Sequence, residues 1–335
     1  MILVTGGTGL VGAHLLYKLV SNNEKVKAIY RSEKKLLQTK AVFETYTRNY
    51  SSLFESIEWV QADILDIPSL ENAFKNVTHV YHCAAFVSFE PNKYRVLRKT
   101  NIEGTANVVN FCISNKIKKL CYVSSIATLG HDIQNDFIDE TALWNSEEDH
   151  SDYAITKYGA EMEVWRATQE GLDAVIVNPG VILGAGIWKY GTGRLFKTAK
   201  NGFKYYTSGT IGLVDVEDVV KVMITLMQSQ ITKERFVLVS ENWRYKQFLE
   251  SLTTSVHGKV PTKLASKWLL NIAWRLDWLK HKLTGKRRQL TKHLANTLNT
   301  ENNYSSNKLK KVLNYEFEPI AKTITKVANL YLKQA

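Results

Sequence analysis

The chain begins with a strand that runs straight into glycine. Ile2-Leu3-Val4-Thr5 leads into Gly6-Gly7-Thr8-Gly9-Leu10-Val11-Gly12, and an apolar stretch of helical length follows at 13–20. Two glycine patterns overlap here: G-x-G-x-x-G from Gly7 to Gly12, and G-x-x-G-x-x-G at Gly6, Gly9 and Gly12. Glycine permits the tight turn, lets backbone N–H groups approach an anion, and lets the helix pack close to the strand. The helix N-terminus adds positive partial charge. Such a turn is common by itself, and a purely structural turn is the alternative. Its place between a strand and a helix predicts a diphosphate cradle built from Gly6, Thr8, Gly9, Leu10, Val11 and Gly12.

The next 180 residues support that context. Short β-branched runs at 2–5, 26–30, 57–61, 79–82, 120–124 and 174–178 alternate with segments of helical length. They are apolar with little alternation, as parallel strands covered on both faces are. The expectation is an α/β fold: a doubly wound parallel sheet with helices on both faces, and a smaller, mostly helical C-terminal lobe. We place the nucleotide-binding domain at 1–178 and the substrate lobe at 179–335, interwoven, with part of 210–245 returning to the first domain. After Pro179 eight glycines between 180 and 212 suggest a loop-rich stretch, and 235–240 reads as one more strand.

Composition narrows the class. With 335 residues, 44% hydrophobic and 23% charged, the chain is neither largely disordered nor fibrous. No apolar run is long enough for a membrane span, and no secretory signal pattern opens the chain, so a cytoplasmic location is expected. The three cysteines (Cys83, Cys112, Cys121) form no C-x-x-C pair, which argues for reduced thiols. His79 and His82 lie three apart on a strand and face opposite sides, so no metal site is expected.

Further candidates stand where strands end. The second strand closes on Tyr30-Arg31-Ser32, with Lys34 and Lys35 nearby. An NAD site usually has an acid there for the ribose hydroxyls, whereas a guanidinium can stack on adenine and pair with a 2′-phosphate. We therefore expect NADP over NAD. Glu33, 21 residues after Gly12, is the counter-argument, and a solvated loop charge is the plain alternative for Arg31. Asp63, before Ile64, could accept from the adenine amino group or simply cap a loop. Ala84 and Ala85 close the fourth strand and leave room for a cofactor backbone, though small residues also suit sheet–helix packing.

Tyr153 and Lys157 share one face of a predicted helix. A tyrosine with an ammonium nearby can exchange a proton with a substrate oxygen while hydride moves at a cofactor. The spacing also occurs at Tyr30/Lys34 and Tyr304/Lys308. Only the middle pair follows a strand that ends in hydroxyl residues, Ser124 and Ser125. One serine there could hold a carbonyl oxygen; ordinary strand-end capping is the alternative.

Taken in order, the Thr5–Gly12 turn, Asp63, His82-Cys83-Ala84-Ala85, Asn101, Ser125, Tyr153/Lys157 and Asn178-Pro179-Gly180 resemble the extended short-chain dehydrogenase/reductase family (the NAD-dependent epimerase/dehydratase family), with its Rossmann-type sheet. The resemblance covers about the first 220 residues well. It implies Tyr153 as general acid/base and Lys157 as the ribose-binding residue that lowers the tyrosine pKa. It also implies Ser125 as the residue orienting the substrate oxygen, and Pro179 lining the nicotinamide pocket together with Ile64, Ala84 and Ala85 along the cofactor. Asn101 is similar to the family's structural asparagine. Ile126 and Ala127 stand where sugar-nucleotide dehydratases carry acids, and Leu129 replaces an epimerase-like aromatic. Arg31 and the tail around Tyr304 and Leu313-Asn314-Tyr315 resemble the dihydroflavonol reductase and 3β-hydroxysteroid dehydrogenase branch. The resemblance thus implies an NAD(P)-dependent reductase or dehydrogenase acting on an apolar or aromatic small molecule, as monomer or homodimer. The alternatives are a nucleotide-sugar epimerase with tightly bound NAD and a non-catalytic NAD(P) sensor or assembly protein.

The net charge of +12 is concentrated. Residues 258–311 hold 13 Lys/Arg against two acids, Asp277 and Glu301, a balance of +11. Within this segment 267–279 is apolar with a polar edge and carries Trp268, Trp274 and Trp278. Three readings are open: a lobe helix packed over the cleft, weak membrane-surface or hydrophobic-ligand contact, or a protein partner. No nucleic-acid motif accompanies Lys286-Arg287-Arg288, and no nucleic-acid partner is expected.

Overall fold

A computed structural model describes residues 1–90, 92–130, 136–285, 288 and 290–334. Its strands in chain order are β1 (Ile2–Thr5), β2 (Val26–Tyr30), β3 (Glu58–Gln61), β4 (His79–His82), β5 (Lys119–Val123) and β6 (Ala174–Pro179). They continue with β7 (Val181–Leu183), β8 (Tyr205–Tyr206), β9 (Thr210–Asp215), β10 (Glu234–Leu238), β11 (Glu241–Arg244) and β12 (Lys263–Leu264). Seven of these form one sheet in the order β10-β6-β5-β4-β1-β2-β3, every neighbour parallel. The chain is thus an α/β protein with a Rossmann-like sheet. Strand order reverses between β1 and β4, which opens a crevice at their carboxyl ends.

Both faces of the sheet are covered. On one, Leu15, Leu16 and Leu19 of helix α1 (Leu10–Ser21) join Val219, Met223 and Leu226 of the helix Val216–Gln228 against Val4, Ala28 and Tyr81. On the other, Val108 and Val109 pack with Ala160 and Val164 against Leu3, Leu120 and Ile176. Leu16 and Val164 are fully buried, so truncating such a side chain to alanine costs about 2–5 kcal/mol.

The stretch after Pro179, expected as loop, is more regular than its glycines suggest. It holds β7, β9 and the helix Gly193–Asn201. β9 pairs in parallel with β7 and antiparallel with β11, a contact between distant segments that local composition does not report. β10, from within 210–245, returns to the main sheet beside β6. A separate core of Phe196, Phe248, Leu252, Ile324 and Tyr331 builds the C-terminal lobe.

Candidate active site

The glycine turn is held by contacts that exclude any side chain. Gly6 has φ +69°, and a Cβ there would stand 2.6 Å from Ala84 N; at Gly12 a Cβ would stand 2.3 Å from Gly6 O. The turn therefore presses against the end of β4, bringing Ala84 beside the start of α1. Gly9 is the exposed N-cap of α1, and no side chain caps that helix. Its first-turn N–H groups remain open for an anion, which is the cradle a dinucleotide diphosphate needs.

The neighbouring strand ends complete a line across the crevice. Arg31 follows β2, Asp63 follows β3, and their side chains lie 3.8 Å apart, both partly exposed. Asp63 also accepts from Leu65 N at 3.0 Å. Ile64 is buried beside Gly104, whose Cβ would stand 2.5 Å from the Ile64 side chain. Pro179 is the buried last residue of β6.

A buried polar layer underlies the site. His82 bonds Thr5 Oγ1 through Nδ1 at 2.6 Å and Thr105 Oγ1 through Nε2 at 2.9 Å. Burial, and then the nearby Lys157 charge, lowers its pKa to about 3, so the ring is neutral. His82 stacks on Tyr122, with ring centroids 5.4 Å apart. Asn101, in a short π-helical turn (Lys99–Glu103), accepts from Phe86 N at 2.7 Å and donates to Phe86 O at 3.0 Å and Thr156 Oγ1 at 3.2 Å. It ties the β4 loop to the helix Asp152–Gln169, hereafter the Tyr153 helix.

That helix starts cleanly because Ser151 accepts from Ala154 N at 3.1 Å. It carries Tyr153 at its first turn and Lys157 one turn later. Tyr153 is half-buried, with Phe89 edge-on at 5.3 Å. Burial raises its pKa, while the Ser125 hydroxyl beside it favours the phenolate. The phenol is therefore a proton donor at neutral pH. Lys157 Nζ donates to Tyr122 Oη at 2.6 Å and Val123 O at 2.8 Å. Burial lowers its pKa to about 7, opposed by Glu161 and Cys83. Lys157 is not among the groups that shift the Tyr153 phenol in this structure. The ammonium is engaged with Tyr122 and β5, and Ser125 is the group that counters burial at the phenol.

Sequence reading missed two residues. Phe89 flanks Tyr153 from a loop with no pattern to mark it. Glu161, one turn beyond Lys157, is fully buried and gathers the site. It accepts from Ser124 Oγ (2.5 Å), Thr128 Oγ1 (2.8 Å), Asn178 Nδ2 (2.9 Å), Trp165 Nε1 (3.3 Å) and Arg235 Nη1 (3.2 Å). One carboxylate thus joins the Ser125 loop, β6, β10 and the Tyr153 helix. Its signal was present as an i+4 acid after Lys157, but that spacing is ordinary on any helix.

The other two Y-x-x-x-K pairs are engaged elsewhere: Tyr30 packs edge-on against Trp59, with Lys34 exposed. Tyr304 packs in a side cluster around Val237 and Val239, and Lys308 bonds Glu234. A cleft of about 720 Å³ opens at the amino ends of the strands, lined by Met1, Thr78, Lys118 and Asp173. Doubly wound sheets bind ligands at the carboxyl ends, so this cleft is on the wrong side. Among the described residues no cluster could hold a metal ion.

Residues 2–238 match the family described as the NAD dependent epimerase/dehydratase family. The chain belongs to that family, and it is an NAD(P)-dependent oxidoreductase of the extended short-chain dehydrogenase/reductase type. It is 29% identical over 278 residues to a putative dihydroflavonol 4-reductase of Synechocystis sp., covering 81% of this chain and 77% of that protein. It is 26% identical over 292 residues to sterol demethylase protein B of Methylococcus capsulatus, covering 85% and 84%. The crystal structure of gox2253 superposes with a TM-score of 0.82 at 24% identity, covering 100% of this chain and 98% of that one.

Proposed function

We propose that the chain reduces a carbonyl of an apolar or aromatic small molecule, using NADPH, with Tyr153 as proton donor. The observation that carries this reading is the neutral, burial-raised phenol of Tyr153 beside the Ser125 hydroxyl, at the carboxyl end of a sheet whose glycine turn fits a diphosphate. When bound, the dinucleotide supplies the hydride. Ser125 holds the substrate oxygen, and the Tyr153 phenol delivers its proton to that oxygen as charge builds on it. Lys157 would bind the nicotinamide ribose, and its ammonium would stabilise the phenolate left behind. Gly6, Thr8, Gly9, Leu10, Val11 and Gly12 cradle the diphosphate. Asp63 and Ile64 border the adenine, Ala84 and Ala85 the cofactor backbone, and Pro179 the nicotinamide pocket. Arg31 favours the 2′-phosphate.

The epimerase reading is supported by the family description and by 26% identity over 249 residues to the UDP-glucose 4-epimerase of Vibrio cholerae, and it requires a second nucleotide site. The proton-donor role is tested at position 153. Tyr153→Phe should lower carbonyl-reductase kcat by about 10²–10⁴-fold while leaving NADPH affinity nearly intact. Unchanged turnover rejects the proton-donor role. Titration of the unsubstituted protein with both cofactors should find NADPH tighter than NADH, and the reverse order rejects the role of Arg31.

A further inference from the structure

The helix Lys267–Thr284, capped by Ser266 and ended by Gly285 at φ +65°, is attached to the lobe along a narrow strip only. Leu270 is its one buried residue; Leu269 and Trp274 are partly covered against Ala265, Leu290, Ala295 and Leu298. The opposite side is apolar and open. Trp268 is 71% exposed, Leu276 60% and Leu283 76%, with Ile272 and Leu279 also exposed. At one turn per 3.6 residues these five fall within an arc of about 80° and form a stripe about 22 Å long. Arg275 and Lys282 border the stripe on one side and Lys280 on the other, all three exposed. Leu269, Leu270 and Trp274 thus attach the helix to the lobe, and the five residues of the stripe are left uncovered.

We propose that this helix lies in the plane of an anionic lipid bilayer, with Trp268, Ile272, Leu276, Leu279 and Leu283 among the acyl chains and the basic residues at the headgroups. Among the described residues no helix is long and apolar enough to cross a membrane, so the contact is interfacial. Charge selects the occupant. The segment 258–311 carries +11, which complements anionic headgroups and adds to hydrophobic insertion. The same charge opposes a second copy on this face, because a two-fold contact would bring two such segments together. Flanking cations beside an exposed tryptophan suit a headgroup boundary better than a protein groove. Lys286 and Arg287, part of the same basic run, lie outside the described residues.

Docking of this kind needs no catalysis, so it is read without turnover. The full chain should co-float with vesicles of phosphatidylcholine and phosphatidylglycerol, and bind pure phosphatidylcholine vesicles at least about tenfold more weakly. Trp268→Glu/Leu276→Glu should abolish co-flotation. Arg275→Glu/Lys280→Glu/Lys282→Glu should weaken it by at least about tenfold, and added salt should mimic that loss. An unshifted thermal melt certifies that both variants fold. The proposal is overturned if the unsubstituted chain ignores anionic vesicles, or if the Trp268→Glu/Leu276→Glu variant floats equally well. A dimer seen by light scattering that the apolar variant splits, without vesicle binding, assigns the face to a second copy and also overturns it.

Discussion

The Tyr153 helix and the Trp268 helix are built to the same plan and use it in opposite ways. Each has 18 residues and starts on a serine that accepts from the backbone N–H three residues on. The first turns two of its charges inward: Lys157 and Glu161 are 1% and 0% exposed and fully engaged with partners. The second turns a stripe of five apolar residues outward and keeps its cations beside them in water. The difference teaches that helix length and capping say little about function. What matters is which face the rest of the chain covers. A helix held on three sides can stabilise a buried lysine, whereas one held along a strip presents whatever its free side carries.

Acid should strike the inward-facing region hardest. His82 on β4 and His14 on α1, whose Nε2 bonds Ala185 O at 3.0 Å, are buried and neutral, with pKa values lowered by burial to about 3 and about 4, whereas unfolded histidine titrates near 6.5. The folded state refuses protons that the unfolded chain takes up. Stability is therefore full above pH 6.5 and falls as pH drops toward 4, by roughly 3 kcal/mol for each ring. Denaturation curves across that range check this, and a flat profile would break the contrast between the two regions.

Removing the carboxylate comes next in size. Glu161→Gln leaves Arg235 without its buried counter-charge and should cost roughly 3 kcal/mol of stability. Because Glu161 raises the Lys157 pKa, the variant should also shift the Lys157-dependent limb of the cofactor-binding pH profile to lower pH. A stability loss without any pH shift would make Glu161 a packing residue only.

The smallest effect belongs to the outward-facing helix. Trp268→Glu/Leu276→Glu removes apolar groups that touch solvent, so unfolding free energy in detergent-free buffer should stay within about 0.5 kcal/mol of the parent. A larger loss would mean that the stripe packs on the fold, and the comparison between the helices would fail.

Much of the sheet was legible from residues 1–180. Apolar β-branched runs and a glycine turn are local signals, and the six strands they mark there, with a seventh at 235–240, are those of the main sheet, with ends that match or are displaced by one or two residues. β7, β9 and β11 were not legible, because their pairing joins segments separated by intervening helix. At the site, Tyr153, Lys157 and Ser125 stood out by spacing and strand-end position. Phe89 and Glu161 did not, since a loop phenylalanine and an i+4 glutamate occur on any surface.

The sequence alone determined the strand–turn–helix at Gly6–Gly12, the parallel sheet and the concentration of positive charge near the C-terminus, because each depends on neighbours in the chain. Long-range packing set the rest: Lys157 bonds Tyr122, five donors converge on Glu161, and Trp268 is exposed. Burial and hydrogen-bond partners are supplied by residues far away in sequence, and no local pattern states which side of a helix those residues will cover.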